Sequence, residues 1–184
     1  MSYPTKPTYI ASCAGKGFDA VQDHPCMVWM HKYTLAYDAG EINESTWKDW
    51  STDDMTYYKT NGEAFTGAKA IAVALEVYAP FSAYKHEPNG IVACWETANG
   101  WEMVGQAMLF VDFPVAGGEK MQKDLSGKAW DVATPSMFAF EYVKDESAKH
   151  DGIKMKSQKI FADTALAMLE MLKRGMVKPE MLMA

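Results

Sequence analysis

Between residues 91 and 113 apolar and polar positions alternate with a period of two, over the longest strand-like stretch in the chain. In the second half the odd positions Trp101, Met103, Gly105, Ala107, Leu109, Val111 and Phe113 are apolar or small, while Glu102, Gln106 and Asp112 fall on even ones. One face is therefore predicted to be buried. Asn99-Gly100 divides the stretch, and because Asn-Gly accepts positive φ the two arms are expected to pair as a tight antiparallel hairpin. The even face also carries Val104, Met108 and Phe110, too apolar for open water. It is expected to pack on another surface, such as a second copy of the chain, which predicts a homodimer.

Elsewhere the period lengthens to that of helices. Pro25 at an early helical position and Gly40 as a stop predict a first helix from His24-Pro25 to about Gly40. At about 100° per residue, Met27, Met30, Thr34, Tyr37 and Asp38 collect on the side opposite Lys32, a face that mixes apolar and ionisable groups. A short second helix is predicted from Glu44 to Trp50 and a strand over 53–60. A third helix, Ala68 to Tyr78, is opened by Gly67 and stopped by Pro80. Strands follow at Phe81–His86, with a turn at Pro88-Asn89-Gly90, then at the central hairpin, Ser136–Val143 and Ile153–Phe161. The polar insert between Pro114 and Thr134 reads as a flap or sheet extension. A last helix, Asp163 to Arg174, places Leu166, Leu169 and Leu172 at spacings of three and ends at Gly175. Residues 1–22 read as an arm across the body, and the methionine-bearing tail 175–184 as a soft cover for an apolar opening. The order predicts a single α+β domain, 1–184: a cone-shaped, curved antiparallel sheet packed against three N-terminal helices plus a C-terminal helix. Such a cone closes at one end and holds a mostly apolar pocket at the other.

Composition narrows the partners. With 48% hydrophobic and 12% aromatic residues among 184, the chain can fill one core. A net charge of −6, with its cations scattered, argues against a nucleic-acid or anionic-membrane surface. No run approaches about 18 apolar residues and no export signal is evident, so a soluble, cytoplasmic protein is expected. Cys13, Cys26 and Cys94, odd in number and without CxxC spacing, read as free buried thiols. No HxxxH or HExxH spacing points to a metal, and no P-loop, GxGxxG or GxSxG motif points to nucleotide or serine-hydrolase chemistry. No metal or cofactor is expected.

The order of elements over about residues 24–174 resembles the cone-shaped barrels of the nuclear-transport-factor-2-like (NTF2-like) superfamily, in particular its SnoaL-like polyketide-cyclase and scytalone-dehydratase branches. The local phrases are Tyr37-Asp38 ending the first helix, Trp47, Asp54-Met-Thr-Tyr57-Tyr58, Gly67, His86 ahead of the central hairpin, and Asp151-Gly152. The resemblance implies an NTF2-like α+β barrel with Tyr37 and Asp38 facing the pocket and one of Tyr57 and Tyr58 holding a reacting water or carbonyl; strand parity admits only one. It implies further that His86 and Ser136 match the dehydratase's histidine and serine. The dehydratase's second pocket histidine and its asparagine fall near Phe113 and Phe138 here, departures that put its dehydration mechanism in doubt.

His86 can act as general acid or base, since an imidazole titrates near neutrality; flanked by Lys85 and Glu87, it can equally be a surface-loop histidine. Asp38 can orient His86, serve as the base, or meet solvent beside Gly40. Tyr37 and Tyr57 or Tyr58 can donate to a developing enolate oxygen, or simply fill core. Asp112 reads as an edge or dimer-face carboxylate and His31 as a core histidine. Met30, Thr34, Phe113, Ser136 and Phe138 complete the expected substrate pocket. The expected activity is a cofactor-free lyase, isomerase or cyclase acting on a small hydrophobic polyketide or terpenoid of secondary metabolism; the alternative is a non-catalytic ligand-binding or dimerisation module. An epoxide-opening hydrolase would want an arginine among its pocket carboxylates, and Arg174, the only arginine, lies at the end of the last helix.

Overall fold

The computed structural model describes residues 8–120 and 122–182. One seven-stranded sheet organises it: β1 (Thr8–Ser12), β2 (Ser51–Tyr58), β3 (Ala64–Thr66), β4 (Ala83–Glu96), β5 (Gly100–Asp112), β8 (Val132–Lys144) and β9 (Ile153–Ala162), in the order β1-β4-β5-β8-β9-β2-β3. Between β5 and β8 the insert folds back as a separate two-stranded hairpin, β6 (Gln122–Lys123) and β7 (Ala129–Trp130). The helices are α1 (Pro25–Asp38), α2 (Gly67–Glu76) and α3 (Ala165–Lys173). The α+β class expected from the sequence is what forms.

Several details differ. The sheet is mixed, because β2 pairs parallel to β9 while the other pairs are antiparallel. The helix expected at Glu44–Trp50 is one 3-10 turn, Trp47–Asp49, held by a Thr46 hydroxyl that donates to the Glu41 carbonyl and so competes with helical bonding. The arm supplies edge strand β1, which pairs with β4; its first seven positions lie outside the described residues. No turn interrupts β4 at Pro88–Gly90; the strand runs through, with a register shift between Pro88 and Val92 that absorbs the proline. His86 is therefore a mid-strand residue and not a loop residue. At the hairpin tip neither Asn99 nor Gly100 has positive φ. Gly100 is needed for another reason: a Cβ there would lie 1.9 Å from the Tyr142 carbonyl oxygen.

The first helix explains itself locally. His24 caps it, its Nδ1 accepting from the Cys26 N–H at 3.3 Å, and Pro25 takes the first helical position. Gly40, at φ +71°, closes the other end, where its N–H reaches the Tyr37 carbonyl. The face formed by Met27, Met30, Tyr33 and Tyr37 is buried against the sheet in the main core. On the outer sheet face Phe110 is buried beneath Trp130 of the insert, so part of the apolar even face is covered by the chain itself. In α3 the leucine spacing misleads: Leu166 and Leu169 are about half exposed, while Ala167 is buried against the sheet. No helix among the described residues is long and apolar enough to cross a membrane.

Candidate active site

A cavity of about 300 Å³ lies between α1, the turn after α2, α3 and the inner face of β4, β5, β8 and β9. Its walls are largely aromatic and aliphatic. Met30, Thr34 and Tyr37 reach it from α1, Tyr57 from β2, Ser136 and Phe138 from β8. Met168 and Met171 of α3 line its far side. The wall is thus completed by α3, and residues 175–180 of the tail expected to cover it do not line it; the side chains of 181–182 and residues 183–184 lie outside what is described.

Polar chemistry concentrates at one place in this wall. His86 Nδ1 lies 2.6 Å from Asp38 Oδ1, and the His86 backbone N–H donates to Asp38 Oδ2 at 2.9 Å. On the other side of the ring, Nε2 is 2.9 Å from the Tyr78 hydroxyl. With the Nδ1 proton given to the carboxylate, Nε2 is left to accept from Tyr78. The result is a chain, Asp38 to His86 to Tyr78, of which His86 and Tyr78 line the cavity and Asp38 stands behind. Burial raises the Tyr78 hydroxyl well above the usual tyrosine value, with the charges of Tyr57 and Asp38 adding to it. Tyr78 carries no sequence signal of this role: it sits in the turn between α2 and Pro80, and nothing in its neighbours marks it as different from a helix-end aromatic.

The remaining candidates divide. Tyr57 is buried and lines the cavity, whereas Tyr58 faces away, with Lys159 Nζ 4.7 Å above its ring, as strand parity requires of adjacent residues. The hydroxyls of Tyr33 and Tyr57, both cavity residues, have no hydrogen-bond partner among the described residues. Tyr37 lines the cavity too, but its hydroxyl proton goes to the Ala74 carbonyl at 3.1 Å. The Ser136 hydroxyl likewise donates to the Ala107 carbonyl. Phe113 does not line the cavity: β5 has ended at Asp112, and the Phe113 ring packs on Phe81 beneath Arg174. Asp112 is paired with Lys120 at 2.8 Å, outside the cavity.

No protein-family model matches the chain, and no curated protein matches it significantly. Solved structures do. Aln2 from a Streptomyces species superposes with a TM-score of 0.56 at 13% identity, covering 79% of this chain and 93% of that one. An NTF2-like superfamily protein from Salmonella enterica serovar Typhimurium gives 0.51 at 11% identity, over 73% and 85% of the two chains. This chain has the NTF2-like fold. A putative scytalone dehydratase from Novosphingobium aromaticivorans gives 0.55 at 10% identity, covering 79% and 87%. In the NTF2-like cone of this chain, the aromatic-walled cavity opens on the Asp38–His86–Tyr78 chain.

Proposed function

We propose that this protein is an acid–base enzyme, a lyase, isomerase or cyclase acting on a small hydrophobic ketone or hydroxy-ketone of the polyketide or terpenoid type. The observation that carries the reading is the Asp38–His86–Tyr78 chain ending at the wall of an apolar cavity. A neutral imidazole whose Nδ1–H is held by a carboxylate can take a proton at Nε2, and the carboxylate stabilises the imidazolium that results. As a C–H bond beside the substrate carbonyl breaks, its proton passes to the Tyr78 oxygen while the Tyr78 proton passes to His86 Nε2. The electron pair of that bond becomes an enolate. The hydroxyls of Tyr33 and Tyr57, without a hydrogen-bond partner among the described residues, supply donors for its oxygen. Returning the proton to a leaving hydroxyl gives elimination of water; returning it to another carbon gives isomerisation; attack of the enolate on a second carbonyl gives ring closure. The putative scytalone dehydratase with the same fold lends support to the elimination.

The test is deuterium exchange in heavy water with 2-tetralone, a compact aromatic ketone, followed by NMR. Wild-type protein is expected to accelerate exchange beside the carbonyl, and His86→Gln and Tyr78→Phe to lose that acceleration by on the order of 10²-fold. Absence of acceleration by the wild type favours the non-catalytic binding module.

We further propose a homodimer through the uncovered part of the outer sheet face, where Ile10, Ala93, Val104 and Ala139 stand in register beside Met137 and Phe161. Ile10, Met137 and Phe161 are about half exposed or more. A dimer mass by light scattering is expected at micromolar concentration; a monomer mass refutes it.

A further inference from the structure

The last long strand holds a polar group with no role in the proton chain. Along β9, Ile153 and Met155 are buried in the core while Lys154 and Lys156 turn away from it, and strict alternation would send residue 158 outward with the lysines. Instead Tyr142 pairs with Met155 while the adjacent Glu141 pairs with Ser157, so Lys156 is an extra residue in a bulge. The bulge inverts the parity beyond it. Gln158, Ile160 and Ala162 consequently line the cavity. Bulges recur beside sites where a side chain has to be re-aimed.

Gln158 is only 8% exposed, and its amide oxygen has no hydrogen-bond partner among the described residues. An apolar residue would fit this wall without leaving a buried acceptor unsatisfied. Around it stand Phe140 and Tyr57, its register neighbours on β8 and β2, and Phe138, which stacks on Phe140 at 4.7 Å. A flat ring fits such walls, and the terminal amide torsion is soft enough to turn the oxygen toward it.

We infer that Gln158 is a specificity-determining residue whose amide oxygen accepts a hydrogen bond from a hydroxyl on the ligand, selecting hydroxylated aromatic ring compounds over their hydrocarbon counterparts. This names the substrate class for the acid–base reading and rests on it for the catalytic use of the cavity, but the preference itself is a property of binding. A site that hydrogen-bonds a ligand hydroxyl rejects the analogue lacking it, because its own polar group is then left unpaired.

The experiment compares 2-naphthol with the near-isosteric 2-methylnaphthalene by quenching of tryptophan fluorescence, using the full chain as wild type, Gln158→Met and His86→Gln. Wild type is expected to bind 2-naphthol about tenfold or more tightly than 2-methylnaphthalene. Q158M is expected to lose that preference while still binding 2-methylnaphthalene, and to melt at a higher temperature than wild type, since it removes an orphaned buried amide. H86Q is expected to keep the preference. The inference is overturned if wild type fails to prefer 2-naphthol or binds neither probe, or if Q158M retains the preference. It is also overturned if Q158M melts lower than wild type, the mark of a merely structural glutamine. Loss of the preference in H86Q alone overturns it too, while leaving the acid–base reading standing; loss of exchange on 2-tetralone with the Gln158 preference intact does the reverse.

Discussion

Both carboxylate oxygens of Asp38 are spent on one residue: Oδ1 lies 2.6 Å from Nδ1 of His86 and Oδ2 accepts the His86 backbone N–H at 2.9 Å. The helix end and the strand are thereby joined through a side chain, and the ring is fixed in rotation with Nε2 turned to Tyr78. Asp38→Asn keeps the shape but offers one acceptor oxygen where two are used, so one charge-assisted bond weakens and the other is lost or requires the opposite His86 tautomer. It is expected to destabilise the fold by about 1.5–3 kcal/mol in urea denaturation, and to slow exchange on 2-tetralone by no more than His86→Gln does, since it acts through His86.

Adjacent tyrosines on β2 give an internal control. Tyr57→Phe removes a hydroxyl without a partner among the described residues, so stability should hold while exchange falls by on the order of 10²-fold. Tyr58→Phe, on the outer side, should leave both within error, its stability within about 0.5 kcal/mol. Equal effects of the two on exchange would remove Tyr57 from the site.

Alkaline titration reads the cavity directly. Burial is the first cause that raises the hydroxyls of Tyr33, Tyr37, Tyr57 and Tyr78 above the ordinary value. Unfolded, these groups lose their protons near pH 10; folded, they keep them. The native state then binds more protons than the unfolded one above that pH, so the stabilisation present below it is lost as pH rises. Tyrosinate absorbance should appear in two stages, the second coinciding with loss of the circular-dichroism signal. A single gradual stage in a still-folded protein would contradict the burial of these groups.

The insert is pinned by Asp124. Burial alone would raise its carboxyl, but hydrogen bonds from Ser126, Lys85 and Trp130 win and hold it well below the usual carboxylate range. A depressed folded value means that its stabilisation is present above about pH 4 and is lost as pH falls below it. Limited proteolysis should find the 115–131 segment cleaved faster as pH drops through this window. Asp124→Asn should be cleaved fast already at neutral pH and show no further acid dependence.

How much of this was written in the chain can be judged element by element. The period-two run through 91–113, the Pro25 and Gly40 brackets of α1, and the order of helices and strands are local properties, and they sufficed for the α+β class; Asp38 and His86 became candidates through the family resemblance and the chemistry of their side chains. That Asp38 and His86 touch requires the docking of α1 against β4, a long-range pairing across 48 positions that no local pattern encodes. Tyr78 and Gln158 were invisible for different reasons: one is positioned by a turn, the other by a bulge that inverts strand parity. Likewise, the helical spacing of Leu166 and Leu169 marks an apolar stripe, yet α3 packs by another face and leaves both exposed. Periodicity records which side chains a segment can bury, because that depends on dihedral angles alone. Which of them meet, and around what cavity, depends on register and packing between segments far apart in the chain, and the tertiary structure decides it.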